Sequence, residues 1–117
     1  MIKIKLNKPF DLENTLTCGQ IFRFYKQDNF SYDVILDDRV VNLSVDNNVL
    51  FVESNEEEDL ENKIKKYLDL ENDYSIIDNY LVSKDKNIKN AVEFSKGLNM
   101  INQSHFETFM EYIISAN

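Results

Sequence analysis

Apolar and polar residues alternate at the start of the chain, with Ile2, Ile4 and Leu6 on one face and Lys3, Lys5 and Asn7 on the other. A period of two predicts a half-buried strand over 2–8, which Pro9 ends. Asp11 offers an N-cap for a short helix over 11–16, with Leu12 and Leu16 sharing a face. Gly19 breaks that helix. The aromatic-rich stretch 21–26 reads as a strand, its alternation grouping Phe22 with Phe24 and Ile21 with Arg23 and Tyr25. Asp28-Asn29 is turn chemistry. Strands follow at 31–37 and 39–45, joined near Asp37-Asp38, then a hairpin turn at Asp46-Asn47-Asn48 and a strand at 49–53. Connections this short force antiparallel pairing.

The period changes at Ser54. Ser54 with Glu57 makes a capping-box pattern, and Glu56, Glu57, Glu58 and Asp59 gather where a helix start is positive. Leu60, Ile64, Tyr67 and Leu68 then form an amphipathic stripe, with Asp59–Lys63 and Glu61–Lys65 as i, i+4 pairs on the solvated side. Further helices are predicted over 74–82 and over 85–96, the latter with Ile88, Ala91, Val92 and Ser95 along one face. Gly97 then stands as a C′ glycine, with Leu98 in place for a Schellman contact. Ser104 and Glu107 begin a last helix. Its apolar stripe is Phe106, Phe109, Met110, Ile113 and Ile114, opposite His105, Thr108, Glu111, Tyr112 and Ser115. Strands first and helices second define an α+β class with an antiparallel twisted sheet.

Composition bounds this picture. At 117 residues, 43% hydrophobic and 29% charged, the chain suits one globular core. No apolar run approaches the roughly 20 residues of a membrane helix, so no membrane partner is expected. The single cysteine excludes an internal disulfide and fits a reduced cytoplasmic (nucleoid-associated) setting, and the Asn, Lys and Ile content fits an AT-rich bacterial genome. The net charge of −8 works against a polyanion partner, because phosphate contacts supply most non-specific DNA affinity.

Candidate chemistry is sparse. Only two glycines occur, and Gly19, between a short helix and an aromatic strand, marks either a turn or a position where another group approaches the backbone. Cys18 has no histidine near it in sequence to activate it and is expected to be small and at least half buried. His105, the one histidine, lies in a first helical turn, solvated or facing phosphate. No zinc, P-loop or dinucleotide motif is present, so neither a metal nor another cofactor is expected.

Gly19-Gln20-Ile21-Phe22-Arg23-Phe24, preceded by a short helix and followed by a meander, resembles the signature of the 8-oxoguanine DNA glycosylase N-terminal domain. The tail from Phe106 to Ser115-Ala116-Asn117 is similar to that family's helix leading into a Ser-x-Asn-Asn motif, and Lys65-Lys66-Tyr67-Leu68-Asp69-Leu70 to its Tyr-[Phe/Leu]-x-Leu helix end. The resemblance implies a TATA-binding-protein-like α+β domain over 1–100, followed over 101–117 by the first helix of a truncated all-α helix-hairpin-helix domain. It implies that the Gly19 carbonyl receives the ring N–H guanine gains on oxidation, and that Asn117 enters the duplex beside the unpaired base. Phe22, Arg23 and Phe24 are expected to be structural, Phe24 standing where the family more often has Trp. The family's lysine nucleophile and its aspartate partner have no counterpart here. The parent protein is thus expected to excise 8-oxoguanine from damaged double-stranded DNA and nick the abasic strand. The chain itself would be inactive, with a C-terminal catalytic domain as its partner.

Two alternatives stand beside this: a non-enzymatic α+β protein-interaction module, and the front domain of an alkyladenine-type glycosylase. The uncovered stripe on 104–116 also predicts self-association of the isolated chain. Sedimentation should show concentration-dependent dimers, and a strictly monomeric profile at high concentration would refute this.

Overall fold

The computed structural model describes residues 1–27 and 29–116. Five strands, β1 (Ile2–Lys5), β2 (Phe24–Lys26), β3 (Tyr32–Leu36), β4 (Arg39–Asp46) and β5 (Val49–Ser54), form one sheet in the order β1-β5-β4-β3-β2. Every pairing is antiparallel; short connections require this between β2 and β3, β3 and β4, and β4 and β5, whereas β1 joins β5 from the far end of the sequence. Asn47 and Asn48 both take positive φ (48° and 62°), the backbone that matches a tight hairpin to strand twist, and Asp37 does the same at 55°. Asp28 lies outside the described residues.

Alternation along the strands buries Tyr32, Val34 and Leu36, Val41 and Leu43, and Leu50 and Val52, together with Ile4. Two helices close over that face: α1 (Leu12–Thr17) through Leu12 and Leu16, and α2 (Leu60–Tyr67) through Leu60, Ile64 and Tyr67, with Leu68 just beyond its end. All four stripe positions of α2 are buried, as its periodicity predicts. The outer sheet face mixes polar and apolar residues, with Asn42 Nδ2 donating to Asp33 Oδ1 at 2.7 Å, Lys3 lying over the Phe51 ring at 5.7 Å, and Ile35 paired with exposed Val40.

The start of α2 departs from the capping-box expectation. Ser54 ends β5, and its hydroxyl serves the loop, donating to the Val40 carbonyl at 2.9 Å. The helix begins at Leu60, after Asp59 at φ 52° with no side-chain cap. The acidic stretch before it folds around buried Arg39, whose Nη1 donates to the Glu56 and Glu58 carbonyls at 3.2 and 2.9 Å. A buried guanidinium needs acceptors, and these carbonyls serve Nη1, while the buried Nε has no hydrogen-bond partner among the described residues. Glu61–Lys65 pairs at 3.0 Å, whereas Lys63 turns to Asp37 at 3.3 Å instead of to Asp59.

The second half is a helical hairpin of α3 (Tyr74–Lys84) and α4 (Lys89–Phe94), joined by a 3₁₀ turn at Lys86–Ile88. Asp85 caps that turn by accepting from the Asn87 N–H at 2.9 Å, so the helix expected over 85–96 is split. Neither α3 nor α4 contains a buried residue. Tyr74 anchors the hairpin, its hydroxyl donating to Asp69 and accepting from the Met100 N–H at 3.0 Å. Gly97 closes it onto α1. Its φ is 87°, its carbonyl accepts from the Asp11 N–H at 2.8 Å, and an added Cβ would lie 2.8 Å from that same nitrogen. The sequence accounts for Gly97 by helix termination alone; close approach is the tighter constraint. Gly97→Ala should lower the unfolding free energy by about 1–3 kcal/mol, read from urea denaturation.

Candidate functional site

Between α1 and β2 the chain passes through an irregular stretch that carries the motif residues. Thr17 ends α1 and Cys18 caps it at φ −81°. Gly19 then takes φ 95°, in the left-handed region that favours glycine. No heavy atom lies within 4 Å of where its Cβ would be. Gly19 is exposed, and among the described residues its carbonyl accepts no hydrogen bond. The glycine is therefore required by backbone conformation, and the space around it is open to another molecule.

Gln20 follows and is held from several sides. Its Nε2 donates to the Asn99 carbonyl at 2.8 Å, to the Thr15 carbonyl at 3.3 Å and to Cys18 Sγ at 3.2 Å. Its Oε1 accepts from the Ile101 N–H at 2.7 Å, and its main-chain carbonyl accepts from Gln103 Nε2 at 2.8 Å. Asn99 is itself buried, donating through Nδ2 to the Leu68 and Asp69 carbonyls at 2.9 and 3.2 Å. The Asn99 N–H donates to the buried Thr15 hydroxyl at 3.2 Å. Thr15, Gln20 and Asn99 thus form one polar network joining α1, the motif, the end of α2 and the segment 97–103. The sequence gives no sign of it, because its partners lie about 80 positions apart.

Several expectations for this stretch are corrected. The strand begins at Phe24, not at residue 21, because Gln20 and Gln103 hold the preceding backbone out of the ladder. The alternation is consequently out of phase there: Ile21 is buried in the core at 3% exposure, whereas Phe22 stands 49% exposed. Cys18 is exposed rather than half buried, since it lies beyond the last core-facing turn of α1. His105 is exposed at the start of α5 (His105–Ser115), and the described residues contain no cluster of metal-binding side chains. Asn117 lies outside the described residues.

The cap of α5 is as its sequence predicts, with Ser104 Oγ accepting from the Glu107 N–H at 3.2 Å. Its orientation is less expected. The helix meets the body through the polar edge: Arg23 Nε donates to Glu107 Oε1 at 2.8 Å, and the Phe22 N–H to Glu111 Oε1 at 3.3 Å. The Glu107 carboxylate beside Arg23 raises the guanidinium pKa above its ordinary value. Phe106, Phe109, Met110 and Ile114 remain exposed on the outer side. A cavity of about 320 Å³, lined by Lys8, Phe10, Leu70, Tyr74, Gly97 and Asn99, lies on the hairpin side of the network and does not include Gly19.

Tyr67 is buried close to α5. Burial first, and then the charges of Glu107 and Glu111, push its phenol well above the ordinary value of about 10, against a smaller opposing effect of Arg23. The folded state thus keeps a proton that the unfolded chain loses above about pH 10, so stability present below that pH declines as pH rises further. Tyr67→Phe should make the fall in unfolding free energy between pH 9 and 11 shallower than in the wild type, measured by urea titrations across that range.

The chain matches the family described as 8-oxoguanine DNA glycosylase, N-terminal domain, over residues 1–109. Among solved structures, MBOgg1 in complex with a low affinity DNA ligand superposes with a TM-score of 0.88 at 30% identity, over 98% of this chain and 39% of that one. The apo-form of Clostridium acetobutylicum 8-oxoguanine glycosylase/lyase gives 0.88 at 31% identity, covering 98% and 40%. The same enzyme with double-stranded DNA containing cytosine opposite 8-oxoguanine gives 0.84 at 34% identity, covering 94% and 38%. The chain therefore spans about two-fifths of the length of these relatives. No curated protein sequence matches it.

Proposed function

The chain belongs to the 8-oxoguanine DNA glycosylase N-terminal domain family, and on that premise we propose that it supplies one wall of the base pocket in a base-excision-repair enzyme that removes 8-oxoguanine from DNA. The observation carrying this reading is the open main chain at Gly19, with positive φ, an unoccupied Cβ direction and a carbonyl without a partner among the described residues. Oxidation at C8 turns the guanine ring N7 from an acceptor into an N–H donor. A carbonyl aimed at that edge bonds the damaged base and opposes the lone pair of the normal one. The absence of a side chain lets the backbone come close to a flipped nucleotide.

The remaining roles follow from the same reading. Residues 1–100 are the recognition and scaffold domain, and 101–117 begin the helical catalytic domain. The outward apolar side of α5 suits packing against further helices of the same parent chain. Asn117 is assigned to the duplex beside the vacated base. The nucleophilic lysine and its aspartate belong to the catalytic domain, so the 117-residue chain alone is inactive and, at a charge of −8, binds duplex DNA weakly. Phosphate contacts then come chiefly from the rest of the parent. The reading as an interaction module draws on the same exposed apolar residues, used for a different partner.

The test uses the full-length gene product and a duplex with one 8-oxoguanine opposite cytosine. Base release and strand nicking are expected. Gly19→Ala should slow release about tenfold, since a side chain in the left-handed region costs roughly 1–2 kcal/mol and moves the carbonyl. A product that leaves 8-oxoguanine intact while excising alkylated adenine would transfer the assignment to the alkyladenine class. A product that excises neither would remove the glycosylase reading.

A further inference from the structure

We infer that Gln20 is a positioning residue that fixes the direction of the Gly19 carbonyl, so discrimination of the oxidised base depends on a carboxamide that never touches it. This rests on the recognition role proposed for Gly19.

Gly19 lacks every local restraint. It has no side chain, occupies a backbone region that glycine enters freely, lies outside helix and sheet, and makes no hydrogen bond of its own among the described residues. A carbonyl in such a position samples many directions, and a wandering acceptor discriminates poorly between a donor and a lone pair. Its direction is set by the peptide plane it shares with Gln20, and that plane is held only as well as Gln20 is held.

Gln20 is held at every polar group beyond its own N–H. The donor end of its carboxamide reaches the Asn99 carbonyl and folds back on the Thr15 carbonyl at the end of α1. The acceptor end takes the Ile101 N–H, and the main-chain carbonyl takes the Gln103 side chain. The anchor behind these contacts is stiff, because Asn99 is buried and bonded to Leu68, Asp69 and Thr15. A carboxamide is the group that fits, since it offers a donor and an acceptor at opposite corners of one plane. Glutamate keeps the acceptor for Ile101 but sets a carboxylate oxygen against two carbonyl oxygens. The neighbouring residues are not interchangeable with Gln20: Ile21 serves the core, and Phe22 contributes its main-chain N–H to Glu111.

The experiment compares two rates in the full-length gene product: release of 8-oxoguanine from a duplex, and nicking of a preformed abasic site, which presents no base to recognise. Both scale with the amount of folded protein, so partial unfolding cancels from their ratio. Gln20→Ala should lower the ratio of release to nicking about tenfold, and Gln20→Met, which keeps the volume without the hydrogen bonds, should do the same. The Gly19 contact itself is probed by unmodified guanine, whose weak release should fall less than that of 8-oxoguanine in both variants. An unchanged ratio in either folded variant overturns the positioning role. A wild-type protein that releases no 8-oxoguanine overturns the proposed function instead, and the two failures are therefore distinct.

Discussion

Polar groups shut away from water must be hydrogen-bonded, and in this protein that requirement decides where the second half of the chain lies. Thr15 and Asn99 are buried. Each would cost about 1–3 kcal/mol if left without partners. Their partners are one another, the Gly97 carbonyl, the carbonyls at the end of α2, and Gln20. Satisfying them pins the segment 97–103 beneath α1, and the position of that segment fixes both the helical hairpin before it and α5 after it. The apolar cluster between sheet and helices provides most of the favourable burial. It is indifferent to the hairpin, which buries none of its own residues.

Much of the fold is written in local patterns. Alternation at Ile2 and Ile4, the asparagine turn before β5, the stripe on α2 and the Ser104 cap each depend on neighbours within a few positions, and each is found as read. The failures occur where a distant group competes. Ser54 and Glu57 carry a sound capping pattern, but Arg39 draws the following loop around itself and delays the helix. Residues 21–23 carry a sound strand pattern, but Gln103 claims the Gln20 carbonyl and shifts the phase, burying Ile21 in place of Phe22. The candidate site divides in the same way. Gly19 is legible because glycine is rare here and its conformation is local. Gln20 looks like any polar loop residue until Asn99 is brought beside it.

The acidic character of the chain also reads differently once its residues are placed. Asp11, Asp73 and Asp85 are spent on backbone N–H groups at the starts of helices or turns. Glu13, Glu61 and Glu107 each face a cation on another element or the next helical turn. The three capping aspartates thus place part of the negative surplus at helix and turn starts, whereas the three paired glutamates are neutralised by their cations.

The separation in sequence between Gln20 and Asn99 has a further consequence, for the order in which the protein is made. The motif leaves the ribosome early, and β3, β4 and β5 can pair behind it as each hairpin emerges. The glycine turn, however, has no fixed geometry until residues 99–103 arrive, some 80 positions later. Until then the glycine turn is an unset loop beside a sheet whose strands have all been made. It acquires its shape only as the chain reaches the start of α5.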